Sequence, residues 1–349
     1  VSWPWRLAGW ALFVLAGPAL LALAGQVPFL TSGRLVFLAI TALAAVGLCL
    51  IMGFAGQVSL GHAAFYAVGA YASGILTAGY GVPPIVALLA GMVLAGAAAA
   101  GVARAVFRVS GHFLAMATLA FGLILYYSLG HFRTVTGGNA GRGGIPKLAI
   151  GSWEATTDTR MFLLCWALVV LGVLVARNVV DSRTGRALRA TGASEVAAGC
   201  CGVNVVRAKV GVFVLGALYA AVAGSLYAHY VTYIAPEEFG LLKSIQFLVV
   251  ATVGGLTSVW GGPVGAVVLV LLTEASREAI PLFVEGATGP YELTIYGLVL
   301  VVVLLLFNRG IAGGIAHATR ARGRGGGDGG PEPLAEDARG RPVPREVAS

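Results

Sequence analysis

Apolar residues run in long blocks along this chain, and polar residues gather between them. Ten blocks follow one another, at roughly 8–25, 33–54, 62–80, 83–103, 113–130, 160–176, 209–233, 243–258, 263–280 and 290–307. Several are nearly unbroken; from Leu293 to Phe307 only Thr294 is polar. A bilayer core takes about 20 apolar residues per helical crossing. Period-two alternation, the mark of a transmembrane strand, is absent. The pattern predicts an all-α, polytopic transmembrane helix bundle of about ten spans over residues 1–310. The first block has a second reading. Arg6, an apolar run and Ala22-Leu23-Ala24 also fit a cleavable signal peptide, which would leave the other blocks as they are.

Composition narrows the class. Of 349 residues 58% are hydrophobic and 11% charged, against roughly 25% charged in a soluble domain. Mean hydropathy is +0.87. A soluble enzyme, a disordered chain and a disulfide scaffold are excluded. The formal charge of +8 would suggest a nucleic-acid partner in a soluble protein. Here it reads as orientation, because Lys and Arg collect on the cytoplasmic side of membrane proteins, and no nucleic-acid partner is expected. Residues 177–209 hold Arg177, Arg183, Arg186, Arg189, Arg207 and Lys209 against Asp181 and Glu195, which predicts a cytoplasmic segment. Counting spans outward places Arg6, Arg104, Arg108 and the C-terminal arginines on that same side. The loop 131–159 and Glu237, Glu238, Glu285 and Glu292 then fall outside. An even number of spans with both termini in the cytoplasm satisfies every one of these biases. From residue 308 on there are seven arginines, five acids and many Gly and Pro. The segment 311–349 therefore reads as a disordered basic cytoplasmic tail, able to touch anionic membrane lipid.

The chemistry-bearing residues are few. Cys49, Cys165, Cys200 and Cys201 form no C-x-x-C pair and no zinc spacing, so no metal and no cofactor is predicted. The 51 glycines suit helices that associate in lipid through small residues, as Ala95-xxx-Ala99 and Ala97-xxx-Gly101 would in the fourth span. Two glycine clusters differ, 53–62 (GFAGQVSLGH) and 254–263 (GGLTSVWGGP). Each interrupts an apolar region with polar side chains. They read either as broken or re-entrant segments beside a pathway or as tight turns between spans. On the first reading Gln57, Ser59 and His62 line a translocation path. On the other, His62 is an interface histidine satisfied by backbone. Glu274, Arg277 and Glu278 read as outer-rim residues of the ninth span.

Residues 183–207 (RTGRALRATGASEVAAGCCGVNVVR) are polar enough to leave the bilayer. Ser194 can cap a short helix beginning at Glu195. A short cytoplasmic helix preceded by the basic residues Arg186 and Arg189 is a docking element for a partner, or else an amphipathic linker on lipid. The chain has no G-x-x-x-x-G-K-[ST] loop and no intramembrane chain of acids. Any energy for transport would arrive through another polypeptide. An intramembrane enzyme is not expected, since no nucleophile or metal cluster converges in the spans.

Four stretches resemble the permease subunits of bacterial branched-chain amino-acid ABC importers, in the LivM-like branch. They are residues 53–71 (GFAGQVSLGHAAFYAVGAY), 113–146 with FLAMATLAFGLIL and TGGNAGRGGIP, 185–230, and 234–265. The resemblance implies an ABC-importer permease fold in the bacterial plasma (inner) membrane. It implies ATPase coupling through Glu195, Ala197, Ala198 and Gly202 of an E-A-A---G pattern. It also implies a second homologous permease subunit, two ABC ATPase subunits and an extracytoplasmic substrate-binding protein. That protein would meet the outer loop at Gly137, Gly138 and Asn139. The expected cargo is branched-chain or related amino acids, with urea or short amides as the alternative, and a self-powered secondary transporter as a further one. Two departures stand out: Gln246 occupies a position where the family often has an acid, and Asn308-Arg309-Gly310-Ile311 replaces the usual R-P-Q-G-like end.

Overall fold

The computed structural model describes residues 3–24, 26, 31–107, 112–150, 153–283 and 297, all within the compact unit Val1–Gly313. The predicted span 290–307, Arg108, Glu285, Glu292 and the tail 311–349 lie outside the described residues, as do the side chains of Arg6, Glu274, Arg277 and Glu278.

The other nine predicted blocks are helices: α1 (Trp3–Ala24), α2 (Ser32–Cys49, prolonged by a π-helical turn Leu50–Phe54), α3 (His62–Tyr80), α4 (Pro84–Val106) and α5 (His112–His131). After the short α6 (Arg133–Thr136) come α7 (Asp158–Asp181), α8 (Arg183–Ala193), α9 (Glu195–Cys200), α10 (Val205–Val231), α11 (Leu241–Gly254) and α12 (Gly261–Phe283). Among the described residues five helices are long and apolar enough to cross a membrane: α2 with its π turn, α4, α5 from Phe113, α7 and α10. The chain is thus a polytopic helix bundle. Among the described residues the sheet is confined to two short antiparallel pairs. β1 (Arg142–Gly143) pairs with β4 (Tyr233–Ile234), and β2 (Ala149–Ile150) with β3 (Trp153–Glu154).

Helix ends follow their sequence. Asn204 accepts a hydrogen bond from the Arg207 N–H at the start of α10, and Thr157 from Arg160 at the start of α7. Gly81 closes α3 in the left-handed region. α2 is the axis of the bundle, buried along nearly its whole length and packed on α7, α10, α11 and α12. α3 crosses α10 where Gly69 faces Ala221 and Gly224 faces Tyr66; a methyl added at either glycine would overlap a backbone oxygen across the crossing. With lipid on the outside, that close backbone approach is what joins the pair. α4 buries Ala87, Gly91, Ala95, Ala99 and Ala103, one residue per turn. The predicted Ala95-xxx-Ala99 stripe is this packed face. The Ala97-xxx-Gly101 stripe points away from the bundle, and nothing lies within 4 Å of Gly101. α4 and α5 carry large exposed apolar side chains, among them Val93, Phe113, Met116 and Ile124, as a lipid or protein neighbour requires.

Candidate functional site

The first glycine cluster is an irregular segment inside the bundle. The π turn widens and underwinds the end of α2, Gly56 takes a positive φ of 65°, and the backbone then runs without helix to Gly61. Non-helical backbone at membrane depth is tolerated only where its polar groups find partners. Two side chains from distant helices supply them. Thr118 of α5 accepts from the Leu60 N–H at 3.1 Å, and Ser244 of α11 accepts from the Ala63 N–H at 3.0 Å. Neither Thr118 nor Ser244 is visible as functional in sequence, because each acts only across a tertiary contact. Replacing Ser244 by alanine, or Thr118 by valine, should each cost about 1–2 kcal/mol by orphaning a buried donor. Thermal unfolding of the purified full chain checks this, and unchanged unfolding in both variants refutes it.

Gln57, Ser59 and His62 are all buried. The His62 Nε2–H donates to the Ala44 carbonyl at 3.0 Å, so its Nδ1 is an acceptor. Among the described residues that Nδ1, the Ser59 hydroxyl and both polar atoms of the Gln57 amide have no hydrogen-bond partner. Buried polar atoms are nearly always paired. Four unpaired ones within six residues set this segment apart. Ala44 stands about 18 Å along α2 from Ser32 at the helical rise, close to half the thickness of a bilayer core of about 30 Å.

The second glycine cluster is different. Residues 255–260 form a tight turn that satisfies itself: Ser258 N–H donates to Gly255 O, Gly261 N–H to Ser258 O, and Trp260 N–H to Ser258 Oγ. Of its two readings the turn is the one observed, and it brings α11 and α12 together as a hairpin. Its tip reaches the first cluster: the Leu256 carbonyl lies directly against the Cα of Gly53.

The segment 183–207 is built as two short helices. Ser182 caps α8 through Thr184 and Gly185, and Ser194 caps α9 through Ala197. Arg189 reaches back to the Val180 carbonyl at 3.0 Å, while Arg186 is exposed. α9 exposes Ala197 and Val196, the latter 78% accessible, and buries Ala198. Glu195 pairs with Lys209 of α10, whose side chain is only 6% exposed. Gly202 has a φ of +80° and ends α9, with the Val203 N–H returning to the Ala198 carbonyl. Glu195 and Gly202 thus hold the segment's shape while staying exposed, and they share the exposed surface with Arg186, Arg189, Val196 and Ala197. The end of α8 rests on the first cluster: a Cβ on Gly192 would sit 3.0 Å from the Phe54 carbonyl, and one on Gly56 3.4 Å from the Gly192 Cα.

The predicted outer residues lie at the other end of the bundle. Gly137 and Gly138 have φ of +85° and +64° and shape a tight turn, in which Gly138 is buried. Asn139 is exposed and lines an open groove of about 940 Å³ with Tyr126, Tyr127, His131 and Arg133. Beneath this end runs a buried chain of hydrogen bonds. His229 Nδ1–H donates to the Pro146 carbonyl at 2.8 Å, which leaves Nε2 to accept from Ser73 at 2.8 Å; Ser73 in turn accepts from Ser225 at 2.8 Å.

The family model described as the permease component of a branched-chain amino acid transport system matches residues 30–304. The chain belongs to this family. Among curated relatives, the high-affinity branched-chain amino acid transport system permease protein LivM of Salmonella typhimurium is 31% identical over 265 residues, 68% of this chain and 62% of the relative. LivM of Escherichia coli is 29% identical over the same shares, and LivH of Escherichia coli 25% identical over 78% of this chain and 91% of its own length. The chain thus spans about 62% of the LivM relatives. No solved structure matches. As a member of this family the chain is a multi-pass membrane permease component and not an enzyme.

Proposed function

We propose that this chain is a permease subunit of an ABC importer for branched-chain or related amino acids in the bacterial inner membrane, with both termini in the cytoplasm. Its domain is 1–310, followed by a basic cytoplasmic tail at 311–349. About ten spans, α1 to α5, α7, α10 to α12 and 290–307, carry it across the membrane. Two separate ATPase subunits drive it, and one of them grips α8 and α9 at Arg186, Arg189, Glu195, Ala197 and Gly202, with buried Ala198 behind that surface. A second homologous permease completes the path, and an extracytoplasmic binding protein docks at Gly137–Asn139. One observation carries the reading: the end of α8 lies against the irregular segment whose Gln57, Ser59 and His62 hold buried, unpaired polar atoms. Movement of α8 under ATP-driven closure would pull on Gly56 and open that segment, letting those atoms meet water or cargo. Alternating access then needs no covalent chemistry in this chain.

The test is solvent access at Gln57. In the complex with its ATPases, a Gln57→Cys variant should react with a water-soluble maleimide at least tenfold faster in one nucleotide state than in the other. A self-powered transporter would show the same change without ATPases. Equal rates in every state would remove Gln57 from the path.

A further inference from the structure

The face of α5 turned away from the bundle ends in a groove that movement of α8 and the first glycine cluster does not use. Phe113, Met116, Ala120, Leu123, Ile124 and Tyr127 are all exposed, Phe113 by 70% and Tyr127 by 69%. They recur three or four residues apart and so share one side of the helix. Thr118, which braces the first glycine cluster, is buried on the other side. From Phe113 to His131 the helix rises about 27 Å, close to the thickness of a bilayer core of about 30 Å. The apolar stripe therefore runs the depth of the core, and the residues just beyond it stand at the level of the lipid phosphates.

At that level lies the open groove of about 940 Å³, lined by Tyr126 and Tyr127 from the end of the stripe and by His131 and Arg133 beyond it. No carboxylate lines it. Glu237 and Glu238 stand on the turn Pro236–Phe239, which packs on α5, without facing into the groove. Arg133 is exposed, and among the described residues it makes no ion pair within 4.0 Å. Its stem is fixed all the same: a Cβ on Gly138 would lie 2.7 Å from the Arg133 Cγ. Tyrosines and a cation at the end of an apolar span are what the head-group region of a bilayer selects. A partner helix fits the stripe less well. The stripe offers no Ser, Thr, Asn or Gln to bond across an interface, and its large side chains would hold another backbone at a distance.

We propose that the groove at the end of α5 binds the head group of an anionic phospholipid, with the acyl chains lying along the exposed stripe of that helix. Arg133 takes the phosphate, His131 adds a donor, and Tyr126 and Tyr127 flank the ester region. A zwitterionic lipid brings its own ammonium into a groove that already holds a cation and has no carboxylate to receive it, so a net negative head group is preferred. The site lies at the end of the bundle away from α8 and α9. It does not depend on which solute is carried or on what drives transport.

The probes are phosphatidylglycerol and phosphatidylcholine with the same acyl chains, in equal parts in nanodiscs holding the full chain. Native mass spectrometry of the released protein reads which lipid stays bound. Wild type should retain phosphatidylglycerol over phosphatidylcholine about fivefold, the factor that one basic residue near an anionic surface contributes. Arg133→Gln keeps the Cγ that packs against Gly138 and should bring the ratio to about one, while Arg133→Lys should keep most of the preference. Arg104→Gln, at the opposite end of the α4–α5 pair, is the control and should leave the ratio unchanged. A photoreactive phosphatidylglycerol should label residues 126–139 in wild type. A wild-type ratio near one overturns the proposal, as does a preference that survives Arg133→Gln or that falls equally in Arg104→Gln. Labelling that vanishes once the chain is assembled with other membrane subunits overturns it too, because a protein then covers the stripe.

Discussion

A Gly53→Ala variant should fail to form a stable bundle. A methyl there would overlap the Leu256 carbonyl of the α11–α12 turn, and that neighbour is backbone, held by its own turn hydrogen bonds. Neither side can yield without moving the hairpin or the π turn, so the cost should exceed the usual 1–3 kcal/mol of core overpacking. Gly211→Ala is the matched control, because nothing lies within 4 Å of that position; there alanine should be neutral or stabilising by up to about 1 kcal/mol. Temperature-dependent size-exclusion of the detergent-solubilised chain separates the two. Equal midpoints for both variants would show that the two glycine clusters do not bear on one another.

The second large effect concerns Glu195 and Lys209. Glu195→Ala would leave a lysine ammonium buried at the base of α10 with no counter-charge. A fully buried pair broken in this way costs about 3–5 kcal/mol; Glu195 is 47% exposed, so water softens the loss to about 2 kcal/mol. Lys209→Met fills the same space with an apolar chain and should cost less. The double variant Glu195→Ala/Lys209→Met should recover most of what Glu195→Ala loses, a coupling of more than about 1 kcal/mol. Measured by thermal unfolding, additive losses would mean the pair is a surface contact only. Measured by uptake in the assembled transporter, recovery in the double variant would assign Glu195 to shaping α9 rather than to touching an ATPase.

The helices were legible because lipid imposes long apolar blocks, and their edges carry caps. Ser194 before Glu195 and Gly202 after α9 are local signals, and both act where their spacing puts them. The α4 stripe was half legible: spacing identifies small residues on one face, but Ala95 and Ala99 pack while Ala97 and Gly101 do not. The two glycine clusters look alike in sequence and differ in structure. One turn satisfies its own backbone, whereas the other borrows Thr118 and Ser244 from helices 58 and 181 residues away. That dependence is tertiary and leaves no trace in local pattern. The setting of Lys243 is tertiary in the same way, since its Nζ lies over the rings of Tyr66 and Tyr227 from two other helices. Lys209, counted only as a positive charge on the cytoplasmic side, proved to be the partner of Glu195.

The hydrogen bonds from Ser225 through Ser73 and His229 to Pro146 all point one way, and each oxygen or nitrogen along them has its proton assigned by its neighbour. Such a row has no slack. It welds α3, α10 and the strap around residue 146 into one stiff lever, with His62 at its far tip. We expect a push on the strap to reach the Gln57 end of α3 as displacement rather than as rearranged packing.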